Sequence, residues 1–184
     1  RGSGPVLVTL VSLLLLGEAV GLLGWAAVLL ITGGVLALGW GGATGDYRAL
    51  LFGVLGGVLL AAYTFIDGVG ARVSGAALTY SAWLFLLTGL PLLVIGFLVR
   101  RGKFIELARP IALRGLLAGA IASVAFAIVI WSLTRAPLGL VAAARETSVV
   151  MVAIAGAVLL KERVNWLAVG AVFVGVVLLR FAAN

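Results

Sequence analysis

The stretch LGLVAAARETSVVMVAIAGAVLLKER, residues 138–163, is a long apolar run that carries Arg145 and Glu146 in its interior. It is long enough to cross a bilayer, which takes about 20 helical residues. At a rise of about 1.5 Å per residue from Pro137, Arg145 lies roughly 12 Å along the helix, near the middle of the hydrocarbon layer. An ionised side chain at that depth costs about 2.5–3.5 kcal/mol and needs a partner or water. We therefore expect a transmembrane helix that faces a polar cavity inside a helix bundle.

The composition of the whole chain is that of an integral membrane protein. Of its 184 residues, 64% are hydrophobic and 10% are charged, whereas soluble domains are about 45–50% apolar and about 25% charged. The net charge of +7 is expected in cytoplasmic loops and does not indicate nucleic-acid binding. The chain has no His and no Cys, which excludes the usual structural zinc and haem sites and catalytic triads that need imidazole. We predict a multi-pass protein of the cell membrane, with no metal or other cofactor and no enzymatic activity.

Hydropathy predicts an all-α fold, a polytopic membrane helix bundle with about seven transmembrane helices. The predicted spans are residues 5–16, 22–40, 49–67, 76–99, 115–134, 138–160 and 166–179. The basic connection of residues 100–114 is expected to lie in part as an interfacial helix. Gly53 and Gly57, and likewise Gly115 and Gly119, have the four-residue spacing that favours close helix packing.

The chain contains an internal repeat. The informative matches pair Arg1 with Arg145, Glu18 with Glu162, Trp25 with Trp166, Ala27 with Ala168 and Gly34 with Gly175. The offset is 144 residues for the first two pairs and 141 for the others, because the first turn is three residues longer. Residues 45–184 then form one complete five-helix repeat, and residues 1–44 are the last two helices of a preceding one. Since five is odd, the two repeats are expected to cross the membrane in opposite directions, as in many secondary transporters.

Three groups of residues carry a family resemblance. They are Leu16-Gly17-Glu18 with Trp25 and Gly33-Gly34, Arg145-Glu146-Thr147-Ser148 with Leu160-Lys161-Glu162-Arg163, Trp166 and Gly175, and the segment AAYTFIDGVGAR of residues 61–72. Essentially the whole chain resembles the EamA-like branch of the drug/metabolite transporter superfamily, except that Lys161 replaces the glycine of the first copy. The resemblance implies a ten-helix carrier of two inverted five-helix units, of which three helices would precede Arg1. It also implies export of small metabolites, such as amino acids or related compounds, across the cytoplasmic membrane by alternating access.

Arg145 and Glu146 are adjacent, so their side chains point about 100° apart on a helix and cannot pair well with each other. We predict that Arg145 faces the cavity and binds an anionic group such as a carboxylate. Glu146 is expected to be held by a neighbouring helix or by a helix N-terminus. The alternative is a structural Arg145 that pairs with a carboxylate or with backbone carbonyls, and its match with Arg1 favours that role.

Tyr63 and Asp67 are four residues apart and share a helix face, with Thr64 beside them. Asp67 is expected near the end of its helix in a solvated capping role, and the alternative is a proton or cation site at the cavity mouth. Trp83, in the interior of the fourth predicted span, is expected to face the cavity. The other predicted cavity-lining residues of the substrate site are Tyr80, Trp131 and Ser148. For each of these alone, helix packing is the alternative.

Glu18 and Glu162 each follow an apolar helix at a short turn. A carboxylate at a helix C-terminus is unfavourable, whereas one that accepts N–H groups from the first turn of another helix is favourable. We therefore expect both residues to clamp each helix to the next one along the chain.

The expected partners are a small-molecule substrate and the lipid bilayer, together with either a second copy in a homodimer or an absent N-terminal half. A rival function is a non-transporting membrane scaffold or partial subunit that requires a partner chain. The distribution of basic residues and the family pattern predict opposite membrane orientations, which leaves the orientation open.

Overall fold

A computed structural model describes residues 2–39, 47–100, 103–159, 161 and 164–182, and this part of the chain is almost entirely helical. Its helices are α1 (Gly4–Leu16), α2 (Leu22–Gly39), α3 (Tyr47–Ser74), α4 (Ala77–Arg100), α5 (Lys103–Ala108), α6 (Ala112–Leu133), α7 (Leu138–Leu159) and α8 (Trp166–Ala182). A 3₁₀ turn, Arg109–Ile111, joins α5 to α6. The predicted polytopic helix bundle is confirmed.

Five helical segments of the described chain are long and apolar enough to cross a membrane, and α1 and α8 are shorter apolar helices. The five are Leu22–Gly39, Leu51–Ser74, Ala77–Arg100, Arg109–Leu133 and Leu138–Leu159. The seven predicted spans therefore correspond to α1–α4 and α6–α8. Pro91 lies inside α4 as predicted, and the basic connection contains the short helix α5.

The largest difference from the predicted boundaries is at the end of α3. This helix continues for seven residues beyond Asp67, to Ser74, and Gly75 follows with a left-handed backbone (φ +65°). A glycine adopts this conformation at little cost, which is why many helices end at one. The predicted end at Asp67 is therefore wrong, because the drop in hydropathy there reflects a polar helix face and not a helix end.

The chain divides into two compact units, and the first consists of Arg1–Gly68 and Arg135–Asn184. In this unit α2 packs against α7 and α8, and α1 packs against α7. The buried apolar side chains at the centre of these contacts are Val28, Ile31, Val35, Leu140, Ala143, Val150 and Val172. This core holds α7, the helix of Arg145, in place.

The helices α2 and α8 approach each other closely through glycines whose contacts are reciprocal. A Cβ atom at Gly34 would lie 2.8 Å from the carbonyl oxygen of Ala168, and one at Gly175 would lie 3.1 Å from the carbonyl oxygen of Ala27. The repeat aligns Gly34 with Gly175 and Ala27 with Ala168, so each helix presents the same pair of residues to the other. Such reciprocity is what a twofold relation between two helices produces. The inverted repeat itself stays a prediction.

Three of the four glycines in the predicted pairs do not mark close approaches between described residues. At Gly53, Gly115 and Gly119, no described neighbouring atom lies within 4 Å of the position that a Cβ would occupy. The four-residue spacing aligns two glycines along one helix but does not determine whether that face meets another helix.

The residue that ends α1 and its match in the second copy both have a left-handed φ angle. Gly17 ends α1 with a φ of +67°, and Lys161, which the repeat aligns with Gly17, has a φ of +55°. For a residue with a Cβ this left-handed conformation costs roughly 1–2 kcal/mol. The two aligned residues thus both have a left-handed φ, although the glycine is found only in the first copy.

The second unit, Val69–Thr134, contains the end of α3 together with α4, α5 and α6. Within it, Phe85 of α4 and Phe126 of α6 pack edge to face, with ring centroids 5.6 Å apart. The Nε of Arg72 donates a hydrogen bond of 2.8 Å to the carbonyl oxygen of Leu133, which joins the end of α3 to the end of α6. Most of the large apolar side chains of α4 and α6 are exposed, as expected for side chains that face lipid.

Candidate substrate site

The guanidinium group of Arg145, on α7, is held by the side chain of Tyr63 on α3. One Nη atom of Arg145 donates a hydrogen bond to the Tyr63 hydroxyl. The guanidinium carbon also lies 5.3 Å from the centroid of the Tyr63 ring, within the range of a cation–π interaction. Both residues are half-buried. The structure therefore pairs Arg145 with an aromatic residue. The predicted partners were a carboxylate or backbone carbonyls, so this partner was not predicted.

A small crevice lies beside this pair, between α1, α3 and α7. Its lining residues are Gly4, Pro5, Val8, Leu60, Thr64, Ala142, Arg145 and Glu146. The space open to the centre of a water molecule is about 10 Å³, which suffices for one water molecule. A crevice with three polar lining residues, Thr64, Arg145 and Glu146, therefore exists where the sequence predicts a polar cavity, but it is too small for a metabolite.

Glu146 lines the same crevice and is 7% exposed. Opposite it lies the first turn of α1, with Gly4 and Pro5, and the N-terminal end of a helix is its positive end. That a neighbouring helix or a helix N-terminus holds Glu146 stays a prediction. Arg145 and Glu146 thus line one crevice even though they are adjacent in sequence.

Asp67 is not at a helix end, in contrast to the predicted position. It lies within α3 and is 8% exposed, on a face whose buried residues also include Leu60, Ala61, Thr64 and Gly68. Because these residues recur at intervals of three and four, they form one buried stripe. A solvated capping role for Asp67 is therefore wrong. The alternative proton or cation site stays a prediction.

Glu18 fixes the start of α7, the helix that carries Arg145. Its carboxylate accepts a hydrogen bond of 2.9 Å from the backbone N–H of Leu138, the first residue of α7. A carboxylate at a helix N-terminus satisfies a free N–H group and interacts favourably with the helix dipole. Glu18 therefore joins the end of α1 to the start of α7, a helix that the prediction did not name. Glu162 lies outside the described residues.

Four of the predicted site residues lie away from the crevice. Trp83 is 60% exposed and Trp131 is 48% exposed, and Ser148 is exposed on α7. Because exposed aromatic side chains in apolar helices face lipid as readily as a cavity, the cavity-facing position of Trp83 stays a prediction. Tyr80 is half-buried in the second unit, where its ring packs against Gly70. The described crevice thus contains Arg145 and Glu146, with Tyr63 bound to Arg145 at its edge.

The prediction missed the contribution of α1 and of Leu60. Gly4 and Pro5 line the crevice, and Leu60 packs directly against Gly4, where a Cβ would lie 2.7 Å from the Leu60 side chain. The match of Arg1 with Arg145 is the sequence signal that could have shown this. It aligns the start of α1 with the middle of α7, which is where the two helices meet around the crevice.

The comparison with protein families identifies the family of the chain. A model of the EamA-like transporter family matches residues 47–181, which run from the start of α3 into α8. Comparisons with curated proteins and with solved structures gave no significant match. Because the family match covers most of the chain, and because the described helices are those of a polytopic membrane protein, this chain belongs to the EamA-like transporter family, whose members are membrane transporters of the drug/metabolite type.

Proposed function

We propose that this chain belongs to a secondary carrier that exports small metabolites carrying a carboxylate, such as amino acids or related compounds, across the cytoplasmic membrane by alternating access. The observation that carries this proposal is Arg145. This half-buried residue lies in the middle of the transmembrane helix α7. Among the described residues, its guanidinium forms a hydrogen bond and a cation–π contact with Tyr63.

The contact with Tyr63 offsets part or all of the cost of the Arg145 charge but supplies no opposite charge. A guanidinium in the middle of a transmembrane helix costs about 2.5–3.5 kcal/mol on insertion scales. A cation–π contact stabilises the charge by about 0.5–2 kcal/mol. A buried hydrogen bond that involves a charged group contributes about 1.5–3 kcal/mol, and the contribution is smaller at this half-buried position. A carboxylate binds a guanidinium through two parallel hydrogen bonds and supplies the opposite charge. A substrate carboxylate is therefore a stronger partner than the Tyr63 hydroxyl.

Two features support alternating access. The crevice beside Arg145 has space for about one water molecule, so a metabolite can bind only if helices move. The reciprocal contacts of Gly34 and Gly175 agree with two inverted repeats that meet at a twofold axis, the arrangement in which transporters rock one half against the other. The substrate is expected at the interface of the repeats.

A transport assay tests the proposed function directly. Full-length protein is reconstituted into liposomes that are loaded with single unlabelled amino acids or simple carboxylic acids, and the uptake of the same labelled compound is measured by counterflow. Uptake above that of protein-free liposomes for at least one carboxylate-bearing compound is expected. If no compound of the panel is taken up, or if amines without a carboxylate are taken up equally well, the proposed function is wrong.

A further inference from the structure

We propose that the basic connection between α4 and α6 binds the headgroups of anionic phospholipids. The site consists of the exposed side chains of Arg100, Lys103, Arg109 and Arg114, which we call the basic cluster. None of these four residues lines the crevice of Arg145. The proposed ligand is a lipid of the bilayer and not a transported compound, so the inference is independent of the proposed function.

The basic cluster lies at one end of the hairpin that α4 and α6 form. These two helices contact each other, and the connection contacts α4 through α5 and α6 through the 3₁₀ turn. One membrane span of the hairpin ends at Arg100, and the other begins at Arg109. The packed rings of Phe85 and Phe126 lie 15 residues before Arg100 and 17 residues after Arg109. Both span ends are therefore on the same side of the bilayer, at the level of the headgroups.

The connection carries a strong excess of positive charge. Among residues 100–114, five are Lys or Arg and one, Glu106, is acidic, which gives a net charge of +4. Glu106 and the four residues of the basic cluster are exposed, and within the described part of the chain none of them forms an ion pair. A group of four or more cations next to a transmembrane helix is typical of a surface that binds anionic lipids.

Exposed apolar side chains alternate with these cations and favour a lipid over a soluble anion. Ile105 is 66% exposed, Ile111 is 60% exposed and Leu113 is 71% exposed. At a membrane surface, cations bind the headgroup phosphates while neighbouring apolar side chains insert at the boundary with the acyl chains. A soluble anion would contact the charges alone, whereas a phospholipid contacts both kinds of side chain.

The test measures which lipid lies next to the basic cluster. Since the chain has no Cys, a fluorophore can be attached to the variant Ala112→Cys, at an exposed position where α6 begins. The labelled full-length protein is reconstituted into phosphatidylcholine liposomes that contain a minor fraction of nitroxide-labelled phosphatidylglycerol or nitroxide-labelled phosphatidylcholine. The nitroxide quenches a fluorophore close to it, so the mole fraction of each lipid that gives half-maximal quenching reports its local enrichment.

Phosphatidylglycerol is expected to reach half-maximal quenching at a mole fraction at least about fivefold lower than phosphatidylcholine, because each cation near an anionic surface strengthens binding about fivefold. The preference should disappear in about 1 M salt, where the Debye length is about 3 Å. The control position is Ala76→Cys, exposed just before α4 and therefore at the opposite end of the hairpin. It should show no preference.

Two charge-removing variants of Ala112→Cys show which residues are responsible. Lys103→Gln with Arg109→Gln is expected to lower the preference at least about fivefold. Lys161→Gln with Arg180→Gln removes the same charge from exposed residues outside the basic cluster and should keep the preference. Circular dichroism of the purified variants establishes that they are folded.

Three outcomes would overturn the inference. If both lipids quench the fluorophore at position 112 equally, the basic cluster does not bind anionic headgroups. If position 76 shows the same preference, or if both double variants lose it equally, the net charge of the whole protein attracts the lipid. If the preference persists in about 1 M salt, the cations do not cause it. None of these results depends on transport, so the proposed function would still stand.

Discussion

The close contact between α2 and α8 makes a sharp prediction about two neighbouring glycines. In Gly34→Ala, the new methyl group would lie 2.8 Å from the carbonyl oxygen of Ala168, well inside van der Waals contact with a backbone atom that cannot turn away. The two helices must therefore separate. In Gly33→Ala, the new methyl group meets no described neighbouring atom within 4 Å. The two variants have the same composition and adjacent positions on the same helix.

The expected difference in stability follows from two opposing effects. Replacing a glycine in a helix by alanine stabilises the helix by roughly 0.5–1 kcal/mol. Overpacking of a tight contact costs roughly 1–3 kcal/mol. In Gly33→Ala only the stabilising effect of alanine in the helix applies. In Gly34→Ala the overpacking also applies, so this variant is expected to be about 2 kcal/mol less stable than Gly33→Ala. For a chain of this size, each kcal/mol changes the midpoint of thermal unfolding by about 2–4 °C, so the two midpoints should differ by about 4–8 °C.

The reciprocal variant extends the prediction. A methyl group at Gly175 would lie 3.1 Å from the carbonyl oxygen of Ala27, so Gly175→Ala should destabilise the protein less than Gly34→Ala does. Its control is Gly170→Ala, which should not destabilise the protein, because no described neighbouring atom lies within 4 Å of that position. The double variant of Gly34 and Gly175 should lose at least about 0.5 kcal/mol less than the sum of the single losses, because the first methyl group already separates the helices.

Thermal unfolding of the purified protein in detergent, followed by circular dichroism, measures all of these differences. If Gly34→Ala unfolds at the same temperature as Gly33→Ala, the close contact between α2 and α8 does not exist. If the double variant is strictly additive, the two contacts do not belong to one interface, and the pseudo-twofold interpretation loses its structural support.

Three further predictions concern the turn after α7, the start of α7 and the partner of Arg145. Lys161→Gly should raise the unfolding free energy by about 1 kcal/mol, because the left-handed backbone is strained only with a Cβ, and Lys161→Ala should give no such gain in the same thermal unfolding assay. Glu18→Ala should lower the unfolding free energy by about 1–2 kcal/mol through loss of the α7 cap, whereas the same change at the exposed Glu106 should alter it by less than about 0.5 kcal/mol. Tyr63→Phe should destabilise by about 1 kcal/mol through loss of the hydrogen bond, and Tyr63→Leu by about 0.5–1 kcal/mol more through loss of the cation–π contact. Equal unfolding temperatures for these two Tyr63 variants would show that the ring contributes nothing to holding Arg145.

Much of the helical architecture could be predicted because a bilayer leaves few choices for a backbone. An apolar run must satisfy its own hydrogen bonds as a helix, so composition and span length identify α1–α4 and α6–α8. The end of α3 was harder to predict. From the sequence alone, a buried Asp67 within a helix cannot be distinguished from an exposed Asp67 at a helix end. The glycine at position 75, which has a left-handed backbone in the structure, was the more informative sequence signal for the helix end.

The candidate site could be predicted only in part. The ionisable residues Arg145 and Glu146 inside an apolar run indicated which part of α7 borders a polar site. Their partners come from distant parts of the chain: Tyr63 is 82 residues from Arg145, and Glu18 is 120 residues from Leu138. Hydropathy contains no information about such contacts, and for Trp83 it does not distinguish a lipid-facing position from a cavity-facing one. The internal repeat alone related the two ends of the chain.

The central claim is that Arg145 binds the carboxylate of the transported substrate, and replacing its charge tests this most directly. Arg145→Gln keeps a long polar side chain and removes the charge, and Arg180→Gln removes an exposed charge on α8 as the matched control. The measurement is counterflow of the transported amino acid into liposomes that contain equal amounts of folded wild type or variant. We expect Arg145→Gln to take up the amino acid at least about tenfold more slowly at subsaturating concentration and to lose the preference over the corresponding amine, while Arg180→Gln behaves as wild type. Uptake by Arg145→Gln at the wild-type rate and with the wild-type preference would contradict the account.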